Sequence, residues 1–152
     1  LHTNDAAGAV TRLIDMGVEP FVLASSLEGI LAQRLVRKIC PKCKATYHPD
    51  EHLLKNLNGA ANFGPDTRFY HGTGCEECNQ TGLTGRVGMF ELLHITGKLR
   101  ELIATRPTTE QINREAPADH ISMVHDGIAK VAQGITTPEE IFRVAKTIGE
   151  DD

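Results

Sequence analysis

With 152 residues, 40% of them hydrophobic, the chain can bury one ordinary core and a small satellite. Its formal charge of -4 has the wrong sign for a phosphate-backbone binder, so generic nucleic-acid binding is excluded. No apolar run approaches the ~20 residues that span a bilayer and no charged-then-apolar leader opens the chain, which predicts a soluble, cytosolic protein.

The opening Leu1-His2-Thr3-Asn4-Asp5 lacks an initiator Met. An apolar residue running into a polar cluster reads as a strand end, so a fragment of a longer protein is expected. Asn4 or Asp5 caps a helix over about residues 5–16, with Val10, Leu13 and Ile14 at helical spacing and Gly17 placed to end it. Pro20 opens a second helix that Gly29 interrupts. Ile30 to Ile39 is rich in strand formers and delivers the chain to Cys40. Asp50 caps a short helix through Leu53, Leu54 and Leu57, residues 58–66 read as loop, and Thr67 to His71 as a short strand. Asn79 to Gly85 reads as a turn and Arg86 to Ile95 as a second long strand. A simple arrangement pairs the two long strands antiparallel, with the intervening unit inserted at their connection. The remainder is helical. Thr96 or Gly97 precedes one helix, Thr108 or Thr109 caps the next, and Ile121 or Ser122 opens a third that closes at Gly134. The last carries Thr137 as N-cap, Pro138 at the first position and Glu140 three residues after the cap.

The four cysteines form two pairs, Cys40-Pro41-Lys42-Cys43 and Cys75-Glu76-Glu77-Cys78, separated by thirty-one residues. Two residues between paired cysteines let a tight turn aim both thiolates at one point, and two such turns supply the tetrahedral sulfur set that structural zinc prefers. The gap exceeds that of a common zinc ribbon, so a folded segment should fill it, and a unit of this size needs a metal to be stable. Two disulfides, or a thioredoxin-like redox pair, are the alternatives; the first suits a cysteine-dense secreted chain and the second needs no matching pair. Binding one divalent zinc through four thiolates would take the formal charge to -6.

No Gly-x-x-x-x-Gly-Lys-Ser/Thr phosphate loop occurs, so the isolated chain lacks a backbone nest for phosphates. His48, His52 and His71 lie within the cysteine-bounded unit, where each could replace a thiolate, although exposed surface is the plainer reading. His2 follows the apparent strand end, where α/β proteins bind ligands; the competing reading is a local cap. Arg12, Arg34, Arg37 and Arg86 read as solvated faces or surface salt bridges, each contributing about 0–1 kcal/mol. Lys42, Lys44, Glu76 and Glu77 beside Tyr47, Phe69 and Tyr70 suit a protein contact better than a phosphate backbone.

Six stretches together carry a resemblance. They are Leu1-His2-Thr3-Asn4-Asp5 through Leu13, Ala24-Ser25-Ser26-Leu27, Leu31-Ala32-Gln33-Arg34-Leu35-Val36-Arg37 with Cys40-Pro41-Lys42-Cys43, Gly74 to Cys78, Thr81 to Leu93, and Asp126 to Val131 with Gly134 to Glu140. The chain resembles the C-terminal third of the bacterial type II secretion and type IV pilus assembly ATPases over nearly its whole length. The resemblance implies an α/β fold: part of a RecA-like P-loop ATPase domain with an inserted tetracysteine zinc subdomain and C-terminal helices. The implied division is 1–39 core, 40–82 zinc subdomain, 83–95 returning core strand and 96–152 helical region. It further implies a homo-hexamer, ATP and Mg2+ as cofactors of the full-length protein beside structural Zn2+ on Cys40, Cys43, Cys75 and Cys78, and inner-membrane platform components as partners at the cytoplasmic face. His2 falls in the family's histidine box, where the matching residue faces the terminal phosphate of ATP. The phosphate loop and acidic boxes of the family lie outside this sequence, so the isolated fragment is expected to be inactive. Pro138 departs from the apolar residue the family often has, a change that a first helical turn tolerates. A freestanding zinc-ribbon interaction module, unconnected with ATP, is the alternative.

Overall fold

The computed structural model describes residue 3, residues 5–58, residue 63 and residues 66–149. Among these lie seven α-helices, four strands and one 3-10 turn. The chain divides into two compact units, Leu1–Gln33 with Phe90–Ser122, and Arg34–Met89 with Met123–Asp152.

In the first unit, α1 (Ala6–Asp15) starts where Asp5 Oδ1 accepts the Gly8 N–H at 2.7 Å, and it turns off at Gly17, whose φ of 93° suits glycine. Its buried face is Ala6, Ala7, Val10 and Ile14. That face joins Leu23 and Ala24 of α2 (Pro20–Ser26), Leu99 and Ile103 of α4 (Gly97–Ile103) and Ile112 of α5 (Thr109–Arg114) in one core. Thr96 caps α4, and Thr108 with Gln111 forms a reciprocal capping box on α5. Arg100 donates to the Ala24 carbonyl and to the Glu28 carboxylate, both at 2.8 Å, and so ties α4 to the end of α2.

The long strands β1 (Gly29–Ile39) and β4 (Leu83–His94) pair with each other. At one end Ile95 N–H donates to Glu28 C=O at 3.1 Å, and at the other Cys40 N–H donates to Gly82 C=O at 2.9 Å, as antiparallel strands require. β4 begins three residues before the predicted Arg86. Gly85 has φ 65°, and the same left-handed glycine that a strand admits at a local distortion reads in sequence as a turn.

The second unit holds β2 (Lys44–Tyr47), which the sequence reading did not anticipate, antiparallel to β3 (Phe69–Gly72). Four residues directly after a cysteine turn are too few to show a strand period. α3 (Glu51–Asn58) fills the gap between the cysteine pairs, with Asp50 Oδ1 accepting the His52 and Leu53 amides at 2.8 and 3.1 Å. It packs on α7 (Pro138–Gly149), as does α6 (Met123–Ala132). The buried side chains of this unit include Val36, Ile39, Leu57, Met89, Met123, Val131 and Ile141.

The start of α7 departs from the expected capping box. Thr137 Oγ1 does accept the Glu140 N–H at 3.3 Å, but the Glu140 carboxylate does not return to the cap. It lies buried beneath β1, where it accepts Arg37 N–H at 2.9 Å, Arg37 Nε at 3.1 Å and the Arg37 terminal nitrogen at 2.6 Å. Arg143 adds a fourth bond at 3.1 Å. Arg37 is therefore the half-exposed arm of a salt bridge whose carboxylate is buried, its Nε and terminal nitrogen sharing Glu140 Oε1 while its backbone amide takes Oε2.

Candidate metal centre

β1 ends by placing Cys40 against the core with no exposed surface, and the Cys40-Pro41-Lys42-Cys43 turn leads into β2. β3 returns the chain to Cys75, which opens the 3-10 turn Glu76–Cys78. Here the backbone needs its glycines. Gly74 has φ 95°, and a Cβ on Gly72 would stand 2.0 Å from the Gly82 carbonyl oxygen, so the β3 end and the approach to β4 touch backbone to backbone. Asn79 and Gln80, at φ 50° and 64°, carry the chain out of the turn, and Gln80 N–H closes it on Cys75 C=O at 2.9 Å.

These turns bring the four sulfurs within 4.8 Å of one another. Cys40–Cys75 is 3.8 Å, Cys43–Cys78 is 3.9 Å and Cys75–Cys78 is 3.7 Å. A tetrahedron of sulfurs each about 2.3 Å from a central zinc has edges of about 3.8 Å, so the donor set fits a tetrahedral thiolate-bound ion in both chemistry and spacing. All four cysteines are free thiols, with sulfurs far beyond the ~2.05 Å of a disulfide. The neighbouring backbone favours thiolate at Cys78: burial pushes its thiol up, yet the amides of Cys75 and Gly82, donating to Cys78 Sγ at 3.3 and 3.2 Å, bring it down to about 6. Burial holds the Cys43 thiol up at about 11.

None of the three histidines of this unit joins the sulfur group. His48 and His52 are exposed, and His71 stacks on Tyr47 with ring centroids 4.7 Å apart. Of the aromatic residues expected at a contact surface, Phe69 alone is buried, and Tyr47 and Tyr70 remain partly exposed. Tyr70 lies under the Lys44 ammonium at 4.4 Å, and Tyr47 donates its hydroxyl to Glu139 of α7 at 2.7 Å. Burial and then the Glu139 carboxylate raise the Tyr47 hydroxyl above its ordinary range, keeping it a donor. Glu139 and Glu140 thus bind the flanks of the metal unit, Tyr47 and Arg37, from one helix end. The sequence shows these glutamates as a first-turn acidic pair and nothing of their distant partners. His2 lies outside the described residues; Asp5, in the same polar cluster, is the cap of α1.

The chain is α/β and carries a closed cluster of four free cysteines that could hold a metal ion. Residues 1–143 match the family model described as "Type II/IV secretion system protein", and the chain belongs to that family. It is 45% identical over 96% of its length to the type II secretion system protein E of Pseudomonas aeruginosa, and 46% identical over 96% to the type II secretion system ATPase E of Vibrio cholerae. To the type IV pilus assembly ATPase PilB of Thermus thermophilus it is 42% identical over 97% of its length. The chain spans 29% of the length of each of the first two and 16% of the third.

Proposed function

We propose that this chain is the C-terminal part of a hexameric RecA-like P-loop ATPase that hydrolyses ATP with Mg2+ to power type II secretion or type IV pilus assembly. The observation that carries the reading is the 46% identity across 96% of the chain to a protein named a type II secretion system ATPase. Within the whole enzyme, residues 1–39 and 83–95 belong to the ATPase core, 40–82 form the zinc subdomain and 96–152 the helical region. His2 faces the terminal phosphate of ATP.

Zn2+ is the metal of the centre, held by Cys40, Cys43, Cys75 and Cys78. Four thiolates leave a tetrahedral ion no open position, so its contribution is to fix the ends of β1 and β4. The ATPase works at the cytoplasmic face of the inner membrane against platform components of the same machine. With Phe69 buried and the partly exposed Tyr70 covered by the Lys44 ammonium, the contact surface of the metal unit is its charged rim, including Lys42, Glu76 and Glu77, all exposed.

The decisive experiment expresses the chain in its natural reading frame and measures magnesium-dependent ATP turnover of the full-length protein and its His2→Ala variant. The reading requires turnover in the first and a loss of about a hundredfold or more in the second, as for removal of one group stabilising transition-state charge. An upstream frame with no phosphate loop within roughly 150 residues, the scale of one domain, would defeat it.

A further inference from the structure

Arg37, Arg86 and Arg143 stand far apart in sequence, on β1, β4 and α7, yet with Leu35 they line one cavity of about 500 Å³ inside the second unit. The described lining contains no carboxylate. On a chain of net charge -4, three guanidiniums around one cavity form a local site of the opposite sign.

The fold holds two of these side chains ready. Glu140, buried beneath β1, accepts from Arg37 Nε and Nη2 at 3.1 and 2.6 Å and from Arg143 Nη2 at 3.1 Å. Both arginine side chains still keep more than half of their surface exposed, 52% and 59%, so they remain within reach of a ligand. A guanidinium fixed along one edge by a buried carboxylate has given up rotamer freedom before any ligand arrives, which lowers the cost of binding. Arg37 Nη1 takes no part in the bonds to Glu140. Arg86 is exposed on the paired strand and makes no ion pair among the described residues.

The chemistry of the lining selects the anion. Phosphates are gripped by nests of backbone amides, whereas the polar groups offered here are guanidinium forks, which match carboxylates equally well. The bonds from Arg37 and Arg143 to Glu140 already show that match. Leu35, 50% exposed at the same cavity, adds an apolar contact that a peptide side chain uses and a bare ion does not. Ligand sites measure about 300–1,000 Å³, so the cavity has room for a few side chains.

We propose that this cavity docks an acidic segment of a partner protein, whose carboxylates engage Arg37 and Arg86 while an apolar side chain covers Leu35. No nucleotide takes part, so the site stands whether or not the chain serves an ATPase.

Fluorescence anisotropy tests it with a labelled peptide of four glutamates flanking one leucine, beside the same peptide with glutamine for every glutamate. The purified chain should bind the first with a Kd of about 0.1 mM or tighter at low salt, and the second at least about tenfold more weakly. Affinity for the acidic peptide should fall severalfold between about 0.01 and 0.1 M salt, as the screening length shrinks from about 30 to about 10 Å. Arg86→Glu should weaken binding at least about tenfold, and Arg86→Lys about threefold, because lysine keeps the charge and loses the fork. Arg12→Glu makes the same change of net charge at an exposed position of α1 and should alter binding less than about twofold. Melting temperatures of both Arg86 variants should match the parent; should Arg86→Glu fail to fold, the loss in Arg86→Lys decides. Equal binding of the two peptides, or equal losses in Arg86→Glu and Arg12→Glu, would overturn the proposal. So would tight binding of tripolyphosphate with the acidic peptide unbound, which would assign the cavity to phosphate.

Discussion

Arg37 occupies an exposed strand position, where a lone guanidinium contributes about 0–1 kcal/mol. Its partner changes that balance, because Glu140 is buried and takes four donors from Arg37 and Arg143. Burial pushes the Glu140 carboxyl up, but the Arg37 side chain, the Arg37 amide and Arg143 together bring it down to about 2. A carboxyl depressed in the folded state stabilises fully above the pKa it has when unfolded, and that contribution is lost as the pH falls through the folded value. Stability should therefore decline between about 4.5 and about 2 on this account. Glu140→Gln should flatten that part of the acid-unfolding profile and cost about 1–2 kcal/mol at neutral pH, a figure reduced because Arg37 is half exposed. Denaturant melts of both proteins across this pH range decide it, and parallel profiles would show that the pair is not the source. The sequence displayed Arg37 and Glu140 as separate surface and capping residues, since nothing local signals a bond across 103 positions.

At the scale of elements, helix starts were legible because each rests on chemistry within three residues: Asp5, Asp50, Thr96, Thr108 and Thr137 all accept amides as expected of caps. The sulfur centre was legible too, since its donors declare themselves by type and spacing. Strand β2 was not, because its existence depends on β3 and on the turns that the cysteines hold. This dependence leads to an expectation about metal removal. Chelation should free the backbone of residues 40–47 and 69–82 to exchange with solvent while α1 and α4, whose core is aliphatic, keep their protection. Gly72→Ala should mimic part of the effect with metal present, because its Cβ would meet the Gly82 carbonyl at 2.0 Å and force the two backbones apart. A loss of about 1–3 kcal/mol is the usual scale for such overpacking. Zinc content by atomic emission and exchange by mass spectrometry check both, and unchanged protection after chelation would mean that the thiols alone hold the unit.

At the scale of the molecule, the question is what this chain can do with ATP by itself. Phosphate groups bind where several backbone amides point at them, at a glycine-rich nest or an open helix start. The chain has no phosphate loop. The helix start nearest the histidine segment is closed to an anion, because the Ala6 amide is bonded to Glu91 and the Gly8 amide to Asp5, two carboxylates that also repel phosphate. The remaining attraction would come from isolated side chains on a protein of net charge -4. We therefore expect the purified chain to bind ATP more weakly than about 1 mM, an affinity worth only about 4 kcal/mol, and to show no turnover above a buffer blank. Isothermal titration with Mg-ATP and a phosphate-release assay measure the two quantities. Magnesium-dependent turnover that disappears in His2→Ala would show that this chain alone assembles a working site and would sink the proposal that catalysis needs residues outside it.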